Sequence, residues 1–162
     1  MKTIVATPLT AESFELFGNV FDISSLKGSA FATGTFDATS EAKLPVLQIV
    51  TVETIAPELT IRQLETHPYS SQTFLALDQA ASLIVVCKPG ADGRPDVSTL
   101  QAFISAPHQI VTYRRNVLHH KLTPLKAPAS FAMTICHTGV GGDTVLHDLP
   151  DAITLDVSAA AR

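Results

Sequence analysis

The sequence predicts a mostly β protein, an antiparallel sandwich or barrel that begins with one short helix. Many short segments are rich in β-branched and aromatic residues, and Pro, Gly or Asp residues separate them at regular spacing. The sequence contains no long amphipathic helix pattern. Many short strands without long helices are typical of sandwiches and barrels. The chain has 162 residues and neither an internal repeat nor a linker composition, so we expect one domain spanning residues 1–162.

The helix is predicted over residues 10–18, TAESFELFG. Thr10 can cap its N-terminus, and Phe14 and Phe17 lie three residues apart on one face. Gly18 can end the helix in the left-handed conformation.

Eight strands are predicted after the helix. They cover residues 45–54, 60–66, 73–77, 82–88, 100–104, 109–113, 118–122 and 130–136. Residues 89–96, PGADGRPD, have the composition of a turn that joins two strands. Residues 27–44 are small and polar, which is typical of a loop or a weak edge strand.

Composition excludes several classes of partner. The net charge is −4 and no dense basic stripe occurs, which argues against a nucleic-acid or membrane surface. No targeting segment or spanning stretch of about 20 apolar residues is recognisable.

Cys87 and Cys136 are isolated within apolar runs, which suits a reducing compartment better than a disulfide framework. We therefore expect a cytoplasmic protein.

The segment LETHPYSSQTF, residues 64–74, carries the first candidate site residues. If residues 60–67 are extended, alternation places Glu65 and His67 on one face. A carboxylate and an imidazole side by side form half of a site for a divalent metal, and the side-chain oxygen of Gln72 could be a third ligand. Taken alone, the segment is better explained as an exposed turn after a strand.

The second candidate segment is NVLHHKL, residues 116–122. Adjacent histidines in a strand point to opposite sides, so only one of His119 and His120 joins a given interior site unless the strand bulges there. Alternatively, one of them is buried and hydrogen-bonded while the other is solvated. Small barrels bring ligands from separate strands into one interior, so the two segments together indicate a metal site that leaves positions open for substrate.

Other constellations do not indicate chemistry. The sequence has no cysteine pair at zinc spacing, no phosphate-binding glycine loop after a strand and no nucleophile elbow. The glycine-rich segment TGVGGD, residues 138–143, follows a predicted strand and precedes no helix, so it is interpreted as a loop.

Four motifs, in this order and at this spacing, resemble the ureidoglycolate lyase family, a cupin-like group. They are PLTAESFELFGNVFD, LTIRQLETHPYSSQTFLAL, GRPDVSTLQAFI and VTYRRNVLHHKL. The resemblance implies a cupin-like antiparallel β-barrel, a homodimer, and conversion of ureidoglycolate to glyoxylate and urea. It also implies a divalent metal cofactor, with Ni²⁺ the metal associated with the family.

The resemblance, together with the chemistry of the implied reaction, gives the candidate residues their expected roles. His67, Gln72 and His119 are the expected metal ligands, and Glu65 is expected to act as a ligand or a base. His120 is the candidate proton shuttle, because an imidazole titrates near neutral pH. Arg115 and Lys121 are expected to bind the substrate carboxylate.

The chain also departs from the family pattern. Arginines common in the family are missing from residues 31–42 and 50–56, and a guanidinium binds a carboxylate in bidentate fashion. Three alternatives therefore stay open: a diverged cupin enzyme acting on another small hydroxy or ureido acid, a non-catalytic cupin that binds a small anion or sugar, and a purely structural dimer.

Overall fold

The computed structural model describes residues 2–56 and 58–158. Within these ranges the chain has one α-helix and thirteen strands, and the strands form two sheets. The elements are β1 (Lys2–Val5), β2 (Thr7–Pro8), α1 (Ala11–Phe14), β3 (Gly18–Asp22), β4 (Leu44–Val52), β5 (Thr60–Thr66), β6 (Gln72–Ala76), β7 (Ser82–Cys87), β8 (Gln101–Ile104), β9 (Gln109–Tyr113), β10 (Leu118–His119), β11 (Thr123–Pro124), β12 (Ala129–His137) and β13 (Val145–Asp156). A 3₁₀ turn at Val97–Thr99 precedes β8.

The first sheet has the strand order β1-β13-β5-β10-β7-β8-β2, with β11 also paired to β7, and the second has the order β3-β9-β6-β12-β4. Neighbouring strands are antiparallel except for the pairs β1–β13 and β2–β8. This arrangement confirms the predicted mostly β, cupin-like antiparallel barrel with a short N-terminal helix.

The inner faces of the two sheets pack against each other. Ile84 and Val86 of the first sheet share one buried cluster with Val111 and Tyr113 of the second, and Phe14 of α1 lies in the same cluster. The other face of β7 packs on a second buried cluster that includes β5 and β13 side chains. All six residues of β7 are consequently buried, which explains its continuous apolar run.

The helix is shorter than predicted. Thr10 caps it as expected, and its side chain accepts a hydrogen bond from the Ser13 N–H, but the helix ends at Phe14. The left-handed role predicted for Gly18 is wrong, because Gly18 begins β3 and is not among the described residues with positive φ. A Cβ there would lie 1.8 Å from the carbonyl oxygen of Thr112, so glycine serves close strand packing.

The strand predictions for residues 60–66 and 109–113 match β5 and β9. The predicted strand 118–122 is wrong in extent, since only Leu118–His119 forms β10 and the chain then leaves toward β11. Residues 27–43 form a loop with one isolated bridge, between Ala38 and Ser70. Among the described residues, no helix has both the length and the apolar character needed to cross a bilayer.

Candidate metal centre and the adjoining cavity

Three side chains meet at one point, two from the end of β5 and one from β10. One ligand atom from each of Glu65, His67 and His119 lies within 4.8 Å of the other two. Oε1 of Glu65 is 3.4 Å from Nε2 of His119 and 3.7 Å from Nε2 of His67. Glu65 and His119 are direct register partners on β5 and β10, so both project from the same face of the first sheet. His67 follows the end of β5 and returns to that face, as strand alternation predicts.

Gln72 joins this cluster from the second sheet. It begins β6, where it pairs with Tyr113, and its Oε1 lies 3.1 Å from Nε2 of His119. The structure therefore brings together all three predicted metal ligands and Glu65. The predicted ligands come from both sheets, which the sequence order alone does not reveal.

Backbone contacts fix the tautomers of both clustered histidines. Nδ1 of His119 lies 2.8 Å from the carbonyl oxygen of Val117, and Nδ1 of His67 lies 3.0 Å from that of Asp143. A carbonyl oxygen only accepts hydrogen bonds, so each Nδ1 must donate its proton. In a neutral ring the other nitrogen, Nε2, then presents a lone pair, and both lone pairs face the Glu65 carboxylate.

The cluster consequently gathers acceptors without donors. The two imidazole lone pairs face a carboxylate oxygen and the amide oxygen of Gln72. Within residues 2–56 and 58–158, the buried Nε2 of His67 is one of the few side-chain polar atoms without a hydrogen-bond partner. Buried acceptors that face one another need a positive charge between them. Two imidazole nitrogens with carboxylate and amide oxygens suit a first-row divalent metal, and the fixed Nδ1–H bonds are typical of metal-bound histidines.

The electrostatics of the metal-free cluster keep the Glu65 side chain charged. Burial raises the pKa of this carboxyl group, but hydrogen bonds from the imidazoles of His119 and His67, and their positive charge when a proton takes the place of a cation at Nε2, more than compensate, so its pKa lies well below the usual range. Glu65 is therefore an anion at neutral pH, as a metal ligand requires, and the lowered pKa favours this role over that of a base.

Tyr113 is a neighbour of the cluster that the sequence analysis did not single out. Its ring stacks on the imidazole of His119 with centroids 4.1 Å apart and an angle of 16° between the planes. Burial, with a smaller contribution from the Glu65 charge, raises the pKa of its phenol, so the hydroxyl stays protonated. Strand alternation places Tyr113 inside the barrel, but no sequence signal reveals which side chain it stacks on.

A cavity of about 690 Å³ adjoins the cluster, with Glu65 in its wall. His120 and Lys121 also line it, and Arg62 adds a second permanent cation that the sequence analysis had not named. Nδ1 of His120 donates to the carbonyl oxygen of Gln63 at 3.1 Å, and burial lowers the pKa of this imidazole. His120 is therefore a neutral imidazole that faces the cavity, while His119 faces Glu65 and Gln72.

Arg115 lies elsewhere. Its Nε donates to Oδ2 of Asp37 at 3.0 Å, and Arg115 is not one of the described residues that line the cavity. The ion pair ties Arg115 to the loop of residues 27–43. Of the two residues predicted to bind the substrate carboxylate, the structure brings only Lys121 to the cavity.

Comparison with known proteins gives consistent results. A family model described as ureidoglycolate lyase matches residues 1–155. A putative ureidoglycolate lyase of Agrobacterium fabrum is 52% identical over 98% of each chain. A ureidoglycolate lyase of Mesorhizobium japonicum is 35% identical, over 81% of this chain and 84% of that protein. Among solved structures, Bacillus subtilis oxalate decarboxylase aligns with a TM-score of 0.39 and 14% identity, over 92% of this chain and 30% of that chain.

Proposed function

The chain belongs to the ureidoglycolate lyase family, and we propose that it splits ureidoglycolate into glyoxylate and urea beside the cluster of Glu65, His67, Gln72 and His119. The family expected from the sequence motifs is thus confirmed. The observation that carries the proposed site is the convergence of buried acceptors, with both imidazole lone pairs facing Glu65 at the wall of a cavity. That arrangement supports a divalent cation, for which we propose Ni²⁺.

The reaction needs one proton removed and one delivered. One carbon of ureidoglycolate bears a hydroxyl, a carboxylate and the ureido nitrogen. Loss of the hydroxyl proton lets the oxygen electron pair form the carbonyl group of glyoxylate, while the carbon–nitrogen bond breaks and the departing nitrogen takes up a proton to give urea. A bound divalent cation would supply Lewis acidity that lowers the pKa of the substrate hydroxyl.

Side chains of the chain itself would hold the cation, transfer the proton and bind the substrate carboxylate. Glu65 is an anion in the cavity wall, and its lowered pKa makes it a weak base, so it would serve as a ligand of the cation. His120 is neutral and keeps Nε2 free, so it can accept a proton and return it to the departing nitrogen. Lys121 and Arg62 both line the cavity and provide the positive charge for the substrate carboxylate.

The test is to incubate purified, nickel-reconstituted protein with racemic ureidoglycolate and to measure urea and glyoxylate together, against a metal-stripped control. We expect equal release of both products from one enantiomer, lost on stripping. His67→Ala and His119→Ala should lose bound metal and activity together, while His120→Ala keeps its metal. Product release no faster than the spontaneous reaction would reject ureidoglycolate as the substrate. It would favour another small hydroxy or ureido acid, because Arg115, which was expected to bind the carboxylate of ureidoglycolate, is paired with Asp37 instead.

We also propose a homodimer. Strand β4 ends the second sheet and, among the described residues, pairs only with β12. Leu44, Leu47 and Ile49 on β4 are all exposed, and this uncharged nine-residue edge strand, whose proline is confined to its second position, offers a pairing surface. Light scattering after gel filtration should give a mass of two chains for the wild-type protein and of one chain for Ile49→Lys. A wild-type mass of one chain would reject the dimer.

For the compartment we propose the cytoplasm, which the two buried free thiols Cys87 and Cys136 support. Fractionation of cells that produce the protein, followed by immunoblotting, tests this.

A further inference from the structure

The glycine-rich loop between β12 and β13 reaches back to the metal centre. Residues 138–143 were interpreted from the sequence as a plain loop. In the structure, the main-chain carbonyl oxygen of Asp143 accepts the proton of His67 Nδ1 at 3.0 Å, and Oγ1 of Thr144 lies 3.3 Å from the same nitrogen. The end of this loop therefore decides which nitrogen of His67 carries the proton.

The side chain of Asp143 closes the loop on itself. Its Oδ1 accepts the main-chain N–H of Thr138 at 2.7 Å, and its Oδ2 accepts the Thr138 hydroxyl at 3.2 Å. These bonds join the first and last residues of the segment. Between them, Gly139, Gly141 and Gly142 have φ values of 81°, 91° and 77°, which only glycine adopts readily. The loop is thus a tight ring whose two ends are joined by one carboxylate, while the Thr138 hydroxyl also bonds to the N–H of Val140 and the carbonyl oxygen of Gly141.

We propose that Asp143 is a positioning residue for His67. By closing the loop, its carboxylate holds its own carbonyl oxygen against Nδ1, which keeps Nε2 of His67 unprotonated and aimed at Glu65. The inference rests on the proposed metal centre. Partners that orient a metal-binding histidine typically contribute 10–100-fold to metal affinity.

The variant Asp143→Ala removes both bonds to Thr138, whereas Asp143→Asn keeps an oxygen that accepts the Thr138 N–H. Asp92→Ala is the matched control, because Oδ1 of Asp92 accepts the main-chain N–H of Arg94 at 3.0 Å in another exposed turn. Two measurements are made on each folded protein: the ¹⁵N spectrum of the His67 imidazole without metal, and the Ni²⁺ dissociation constant by competition with a chelator.

We expect Asp143→Ala to show a mixture of His67 tautomers and a Ni²⁺ affinity lower by about 10–100-fold. Asp143→Asn and Asp92→Ala should keep the wild-type spectrum and affinity. Wild-type values in Asp143→Ala would overturn the inference. If Asp143→Ala lacks a cooperative thermal transition, Asp143→Leu replaces it, since leucine has nearly the shape of aspartate but accepts neither of the two Thr138 bonds. An unchanged His67 spectrum in that variant would overturn the inference as well.

The same data separate this inference from the proposed metal centre. A wild-type protein that binds no Ni²⁺, yet loses its single His67 tautomer in Asp143→Ala, would refute the metal centre and support the positioning role. If the wild-type protein binds Ni²⁺, and Asp143→Ala keeps both this affinity and the single His67 tautomer, the metal centre is supported and the role of Asp143 is refuted.

Discussion

Removing the imidazole of His119 should abolish the stabilisation that a divalent cation gives to the fold. A ligand that binds only the folded state at 100 times its dissociation constant raises the free energy of unfolding by about 2.7 kcal/mol. For a chain of 162 residues, each kcal/mol moves Tm by roughly 2–4 °C. Saturating Ni²⁺ should therefore raise the Tm of the wild-type protein by roughly 5–11 °C.

The variant His119→Ala also changes the protein without metal. His119 is only 1% exposed and contacts Gln72, Val117 and Tyr113, so its loss should cost about 2–5 kcal/mol, as for other buried side chains of this size. The informative quantity is therefore the difference in Tm between metal-loaded and metal-free samples of the same variant. This difference should fall to near zero in His119→Ala, because one of the three closest ligand atoms is gone.

His120→Ala provides the matched control. It removes the same side chain one residue further along, on the cavity side, and should keep the full wild-type shift. Scanning calorimetry with Ni²⁺, and with chelator in its place, measures both differences. The reasoning is refuted if His119→Ala keeps a wild-type shift, or if His120→Ala loses it.

Three further predictions concern the cavity wall and the support of the cluster. Burial lowers the pKa of His120 below its ordinary 6.5, so the unfolded chain binds more protons than the folded one and the free energy of unfolding falls as the pH drops below about 6.5. The variant His120→Gln should therefore show a weaker pH dependence of the urea unfolding midpoint, and an unchanged pH dependence would contradict this. Tyr113→Leu should weaken Ni²⁺ binding more than Tyr113→Phe, which keeps the stacked ring; equal affinities in isothermal titration would exclude a role for stacking. Lys121→Ala should raise KM about 10–100-fold with a smaller change in kcat, whereas unchanged steady-state kinetics would place the substrate carboxylate elsewhere.

Strand alternation was sufficient to place part of the candidate site. Glu65 and His67 are two residues apart at the end of a strand whose bounds were predicted correctly, so their shared face follows from local geometry. The choice between His119 and His120 did not follow, because β10 is only two residues long. Its orientation is set by pairing with β5 on one side and β7 on the other, which is tertiary information.

The elements that the sequence analysis missed have identifiable physical causes. Strand β13 spans twelve residues, but its register shifts between Asp148 and Ile153, which interrupts the alternation that would have revealed it. Gly18 was misinterpreted because a glycine needed for close backbone approach looks the same in sequence as one that ends a helix. The loop of residues 138–143 looked inert because its contribution to the cluster is a main-chain oxygen.

The three histidines of the site share a feature that bears on how this protein tolerates mutation. Each gives its Nδ1 proton directly to a main-chain carbonyl, at Val117, Asp143 or Gln63, and only for Asp143 have we proposed that a side chain holds this carbonyl in place. Every residue type has a main-chain carbonyl, so substitutions at Val117 or Gln63 leave the acceptor in place. Evolutionary drift can therefore alter much of the composition around the site while the imidazoles keep their protonation pattern. The protonation pattern of the site therefore depends on the backbone path that places these carbonyl oxygens, more than on the identity of the residues that carry them.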